Sequence, residues 1–190
     1  SQVNLTCFDQ CIGSATVNMT GGGTLPYNYL WSSIPAQFGP TAISLGAGNY
    51  TVVVTDQNLC DTTLSFTITE PSEIIVDTSF VNSTCFGSCT GSASVTAVGG
   101  VPGYNFEWYN TATGLGTPLG VNNDSIANLC IGDYFATVQD MNGCIVFSDT
   151  MTINELAQIT LNIINITDNT CGVCDAIADV SASGVAGGFI

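Results

Sequence analysis

The stretch that decides the fold runs Cys85-Phe86-Gly87-Ser88-Cys89-Thr90-Gly91-Ser92-Ala93-Ser94-Val95-Thr96-Ala97, then Gly99-Gly100, then Tyr104-Asn105-Phe106-Glu107-Trp108. Ala93, Val95 and Ala97 alternate with Ser92, Ser94 and Thr96. Tyr104, Phe106 and Trp108 alternate with Asn105 and Glu107. Alternation with a period of two places one set of side chains inward and the other toward water, as in a half-buried strand. Gly, Asn and Asp separate the runs, which marks turns between antiparallel strands.

The same stretch occurs earlier in the chain. Cys7 and Cys11, followed by Gly13-Ser14-Ala15-Thr16-Val17, match Cys85 and Cys89, followed by Gly91-Ser92-Ala93-Ser94-Val95, at an offset of 78 residues. Gly21-Gly22 aligns with Gly99-Gly100, and Tyr27 to Trp31 aligns with Tyr104 to Trp108. Leu45-Gly46-Ala47-Gly48-Asn49-Tyr50 aligns with Leu129-Cys130-Ile131-Gly132-Asp133-Tyr134. Val54 to Cys60 aligns with Val138 to Cys144, and a third start appears at Cys171-x-x-Cys174. Repetition at a fixed period means one structural unit used again.

The expected organisation is all-β: tandem immunoglobulin-like antiparallel β-sandwich repeats of about seven short strands each. Residues 1–71 would form a first repeat, incomplete at its N-terminus. Residues 72–155 would form a second, and 156–190 the start of a third, truncated one. Ala15, Val17 and Met19, Tyr27, Tyr29 and Trp31, Tyr50, Val52 and Val54, and Leu64, Phe66 and Ile68 are the expected inward sets of the first repeat. Tyr134, Ala136 and Val138, with Met151 and Ile153, join those already quoted in the second. The link through Thr69-Glu70-Pro71-Ser72 is short. With no signal peptide in view, the chain reads as an internal segment of something longer.

Composition narrows the function. The 190 residues include 15 Asp and Glu but no Lys, Arg or His, giving a net charge of −15. Nucleic-acid binding needs cations to displace phosphate counterions, and a basic membrane-surface helix needs them too. General-base histidine, Schiff-base lysine and arginine clamps on phosphate are all excluded. Paired-carboxylate hydrolysis is the one acid–base chemistry left, and nothing in the spacing gathers two acids. No apolar run reaches the roughly 18–20 residues of a membrane span. Only 8% of residues are charged, against about a quarter in an average soluble domain. So bare a surface suggests lateral packing of chains into a homo-oligomer or fibre, or a coat of sugar.

The combined pattern C-x-x-x-C-x-G-S-A, G-G, Y-x-[YF]-x-W, L-x-x-G-x-Y and V-x-D-x-x-x-C resembles the SprB repeat of giant adhesins and surface filaments of Bacteroidota. The resemblance implies an immunoglobulin-like sandwich, export by type IX secretion, and a role in surface attachment, gliding or cell capture. On that reading the chain is a structural or adhesive segment of a secreted cell-surface filament or adhesin, and no enzyme. The alternative is a glycan-binding repeat that uses exposed aromatics, with Trp31 and Trp108 as candidates. Their place on an alternating strand with two other aromatics argues instead for the core.

The nine cysteines are Cys7, Cys11, Cys60, Cys85, Cys89, Cys130, Cys144, Cys171 and Cys174, and all are disulfide candidates in an oxidising, extracellular setting. Cys89 and Cys130 fall at the same end of a sandwich. Gly46 replaces the latter in the first repeat, leaving Cys11 either unpaired or joined to Cys7. Cys144 could bond back to Cys7 in the preceding repeat, or to Cys85 in its own. Sequence does not choose between them. A zinc site usually wants two close cysteine pairs, and the second repeat has one.

No catalytic residue, cofactor or metal ligand is expected. No D-x-D-x-D calcium loop is present, which leaves only diffuse calcium binding by surface carboxylates. Asp56 and Asp140 read as turn caps. Asn-x-Ser/Thr sequons begin at Asn4, Asn18, Asn49, Asn82, Asn123 and Asn165, and D-[ST]-[AILMVT] matches make Thr62, Ser125 and Thr150 candidate O-glycosylation sites.

Overall fold

The computed structural model describes residues 1–111, 117–167 and 177–184. Within them the regular structure is β-strand, in antiparallel sheets, with no α-helix. Contacts divide the chain into two compact units. The first comprises Ser1–Ile75 together with Ala97–Tyr104 and Gln139–Val146; the second holds Val76–Thr96, Asn105–Val138 and the strands after Phe147.

The first repeat contributes β1 (Gln2–Val3), β2 (Gly13–Thr16), β3 (Asn28–Trp31), β4 (Thr41–Leu45), β5 (Gly48–Thr55) and β6 (Asp61–Ile68). They form two three-stranded sheets, ordered β1-β2-β4 and β3-β5-β6. This is the A-B-E and C-F-G arrangement of an immunoglobulin-like sandwich without strand D. The number of strands is therefore six, fewer than the alternation suggests. Ala15, Val17, Ala42 and Leu45 from one sheet meet Trp31, Val52, Val54 and Ile68 from the other in one core, with Met19, Tyr27, Tyr29, Tyr50 and Phe66 packed around it. Trp31 lies 5.5 Å from Phe66, ring centre to ring centre. Leu64 departs from the expected inward set: it is 41% exposed, whereas Phe66 and Ile68 of the same edge strand pack in or against the core.

The second repeat contributes β7 (Ile75–Val81), β8 (Gly91–Val98), β9 (Asn105–Asn110), β10 (Thr117–Pro118), β11 (Ser125–Leu129), β12 (Gly132–Gln139), β13 (Ile145–Phe147) and β14 (Met151–Ile153). One sheet runs β11-β8-β7 and the other β10-β9-β12-β13, with β14 also on β12. The last strand is thus broken in two where the first repeat has the continuous β6. Ser148 makes the break: its N–H donates to Ala136 O at 2.8 Å, and its Oγ accepts from Ala136 N at 2.9 Å. Ala93, Val95, Trp108, Leu129, Tyr134, Ala136, Val138, Met151 and Ile153 are buried. A further antiparallel pair, β15 (Thr160–Thr167) with β16 (Ile177–Ser183), follows, and both strands are largely exposed.

Two motif residues acquire a structural reason. The Gly of each G-S-A triplet faces an Ile of the opposite sheet with no room for a side chain. A Cβ on Gly91 would fall 2.6 Å from Ile153 Cγ2 and 3.0 Å from Leu129 O; one on Gly13 would fall 2.7 Å from Leu45 O and 2.8 Å from Ile68 Cγ2. The Tyr of each L-x-x-G-x-Y motif forms a tyrosine corner at the E–F turn. Tyr50 Oη donates to Gly46 O, and Tyr134 Oη to Cys130 O, each at 3.1 Å.

Overpacking at such a contact typically costs about 1–3 kcal/mol. Gly91→Ala should lower the unfolding free energy by that amount in a urea melt, while Ser92→Ala on the same strand should change it by less than about 0.5 kcal/mol.

Candidate functional site

The residues with distinctive chemistry are the turn aspartates and the cysteines. Asp56 and Asp140 follow the F strands at matching positions, and both are buried. The Oδ2 of Asp56 accepts from Thr24 N and its Oδ1 from Cys60 N, both at 2.9 Å. The Oδ2 of Asp140 accepts from Val101 N, and its Oδ1 from Asn142 N and Cys144 N, all at 2.9 Å. Bonds from Thr24, then Cys60, hold the Asp56 carboxyl below the usual carboxylate range against its desolvation. For Asp140 burial is the largest influence and pushes the value up, but the combined bonds from Val101, Cys144, Asn142 and Gly143 bring it below the usual range. Both carboxylates are therefore committed to turn geometry. Among the described residues, no group of three or more His, Cys, Asp or Glu converges on a metal position.

This geometry corrects the glycine alignment. Tyr27 Oη donates to Gly22 O and Tyr104 Oη to Gly99 O, so Gly99-Gly100 corresponds to Gly22-Gly23, one residue later than the letters suggest. Gly100 has φ +57°, and a Cβ there would fall 2.7 Å from Asp140 Oδ2 and from Ile74 Cγ1. The second glycine makes room for the carboxylate.

Two disulfides are present among the described residues: Cys7–Cys144 and Cys89–Cys130. Cys7–Cys144 spans 137 residues of sequence, joins the first cysteine of one repeat to the last of the next, and lies within the first compact unit. It borders a cleft lined by Phe8, Gln10, Pro71 and Ile145. Cys11, Cys60 and Cys85 are free and exposed. Cys171 and Cys174 lie outside the described residues. Gly46 stands beside Cys11: a Cβ on it would lie 3.7 Å from Cys11 Sγ, the place that Cys130 takes relative to Cys89.

The indoles of Trp31 and Trp108 are 1% and 0% exposed. Their Nε1 atoms donate to Gly39 O at 2.9 Å and Asn123 O at 2.8 Å. Neither ring can stack on a sugar, so the glycan reading loses its two candidates. A set of aromatics that alternation did not single out does reach the surface. Tyr109 stacks on Phe135 at 4.9 Å, and Phe135 meets Phe147 at 6.2 Å. Phe147 is 70% exposed. Thr62, Ser125 and Thr150 are all exposed, on β6, at the start of β11 and at the break between β13 and β14.

The SprB repeat family model matches two stretches of the chain, residues 1–35 and 78–113. Both stretches run from the A–B strands and the first two cysteines through the buried tryptophan. No curated protein matches this sequence. Among solved structures, the three N-terminal domains of the bacteriophage RB49 highly immunogenic outer capsid protein (Hoc) align at 15% identity. That alignment covers 97% of this chain and 68% of that one, with a TM-score of 0.46. Murine CEACAM1b aligns at 14% identity over 79% of this chain and 95% of that one, with a TM-score of 0.34. The amphioxus IgVJ-C2 molecule aligns at 12% identity over 76% and 97%, also with a TM-score of 0.34.

Gly46→Cys should close a bond to Cys11 under oxidising conditions, seen as the loss of both thiols in alkylation mass spectrometry, and should stabilise the protein by roughly 2–4 kcal/mol. The lowered pKa values of Asp56 and Asp140 mean that their stabilisation is complete above the unfolded carboxyl value of about 3.9 and is lost as pH falls through the folded values. Thermal melts should therefore show a steep loss of stability below about pH 4. Asp140→Asn should melt lower at neutral pH and show a shallower acid slope.

Proposed function

We propose that this chain is a structural repeat segment of a secreted surface filament or adhesin, that it serves attachment, gliding or cell capture, and that it catalyses nothing. The observation that carries the reading is the disulfide from the first cysteine of one repeat to the last cysteine of the next. Such a bond has no use in an isolated binding domain. It resists separation of successive repeats, which suits a protein under tension. The SprB matches support a place at the cell surface, and disulfides support an oxidising exterior. Among the described residues no helix is long and apolar enough to cross a membrane. No cofactor enters this reading, and calcium, if bound, would be held diffusely. Lateral packing into a fibre and glycans on Thr62, Ser125 and Thr150 would each suit a surface so poor in charge.

Immunogold labelling of intact producing cells, with an antibody to the purified chain, tests the proposal. Label on structures outside unpermeabilised cells is expected. Label that appears only after permeabilisation would overturn it.

One observation favours a second reading. The Tyr109–Phe135–Phe147 stripe could bind a neutral glycan, since apolar sugar faces pack on aromatic surface and a chain without cations has nothing to attract an acidic one. Saturable binding on a glycan array that disappears in Phe147→Ala would support this reading, and no binding by the unaltered chain would remove it.

A further inference from the structure

We infer that Cys60 and Cys85 are half-cystines of two further inter-repeat bonds. Cys60 takes a first-position cysteine like Cys7, and Cys85 takes a last-position cysteine like Cys144, each from another repeat of this kind. The inference rests on the reading of the chain as an array of repeats, and adds that a covalent bond links every successive pair.

Cys85 holds the place of Cys7 in its repeat, and Cys60 that of Cys144. Cys7 and Cys144 are bonded to each other, while Cys60 and Cys85 are free and exposed.

The loops are also built alike. The N–H of Cys60 is held by Asp56 Oδ1 and that of Cys144 by Asp140 Oδ1, both at 2.9 Å. In the loop of Cys7, Asp9 N donates to Glu70 Oε2 at 2.7 Å; in the loop of Cys85, Gly87 N donates to Glu155 Oε2 at 2.8 Å. Asn4 Oδ1 accepts from Thr69 N at 3.2 Å, and Asn82 Oδ1 from Asn154 N at 2.9 Å. Where the first repeat anchors this loop with buried Leu5, the second uses buried Ser83, whose hydroxyl donates to Ser88 O at 2.6 Å. A different anchor side chain therefore keeps the same loop. Phe8 lines the cleft beside the existing bond and is 45% exposed, and its counterpart Phe86 is similarly 53% exposed.

Cys11 is exposed as well, yet it falls outside this set. Its counterpart Cys89 bonds to Cys130 in its own repeat, and Gly46 has removed the equivalent partner.

Bond formation joins two thiols, with loss of two protons and two electrons. Oxidised glutathione accepts the electrons by thiol–disulfide exchange and leaves as two reduced thiols.

The test duplicates residues 71–155 in tandem, placing the second copy directly after Glu155 in the full chain. The protein is equilibrated in a glutathione redox buffer, alkylated and mapped without reduction. The expected result is a peptide joining Cys85 to the Cys144 of the inserted copy, with loss of alkylation at Cys85 while Cys11 stays alkylated. Free thiols at both Cys85 and the inserted Cys144, in a chain that melts as folded sandwiches, would overturn the inference. If the duplicated chain does not fold, the same mapping is made on the protein from its producing cells. Cys60 and Cys85 bonded to cysteines of other repeats support the inference there; both alkylated overturn it.

The unduplicated chain, oxidised alongside at high concentration, separates the two sources of partner. Covalent dimers through Cys60 and Cys85 support a second copy of the chain, and monomers beside a bonded duplicated chain support a neighbour in the same polypeptide. Free thiols together with immunogold label outside cells would remove the bonds and leave the surface function standing.

Discussion

With 15 carboxylates and no cationic side chain, this protein cannot neutralise a single acid by a side-chain salt bridge. That constraint shapes the structure. A carboxylate buried without compensation is costly, so the two that are buried among the described residues, Asp56 and Asp140, are surrounded by backbone N–H groups. Each pins the C-terminal end of an F strand to the loop before the aromatic C strand. The double glycine, the tyrosine that bonds back to it and the closing cysteine are all arranged around that carboxylate. A charged surface residue would normally be free to vary; here the acid organises a whole end of the sandwich.

The same lack of cations limits what can hold successive repeats together. Ion pairs are unavailable, and a bond that spans 137 residues supplies the constraint covalently. In the chain-entropy model, closing a loop of that size contributes on the order of 5 kcal/mol, against about 4 kcal/mol for the shorter Cys89–Cys130 loop. The cysteine of the C-x-x-x-C pair that bonds within a repeat, and the one that bonds between repeats, are separated by one turn. The first position of the motif makes the link between repeats at Cys7, and the second makes the bond within a repeat at Cys89.

Much of the fold was legible because strands advertise themselves by alternation. Ala15, Val17, Trp31, Val52 and Val54, with their counterparts in the second repeat, are buried as the pattern requires. Features set by three-dimensional approach were less legible. Gly13 and Gly91 read as motif letters until the facing Ile68 and Ile153 show why no side chain fits. The register of the glycine pairs is ambiguous in the sequence, which offers three consecutive glycines, and only the bonds from Tyr27 and Tyr104 select among them. Leu64 fits the alternation yet is exposed. The surface aromatics Phe135 and Phe147 were hidden because outward positions on a strand are expected to be polar. Cysteine connectivity is not encoded in spacing at all; it depends on which loops meet.

The measurement that bears most directly on this account is the disulfide map of the intact chain. Trypsin has no site to cut, so the alkylated, unreduced protein would be digested with chymotrypsin and an acid-directed protease. One linked peptide joining Cys7 to Cys144 and another joining Cys89 to Cys130 are expected. A peptide joining Cys85 to Cys144, with Cys7 alkylated, would confine the bonds to single repeats and contradict this pattern.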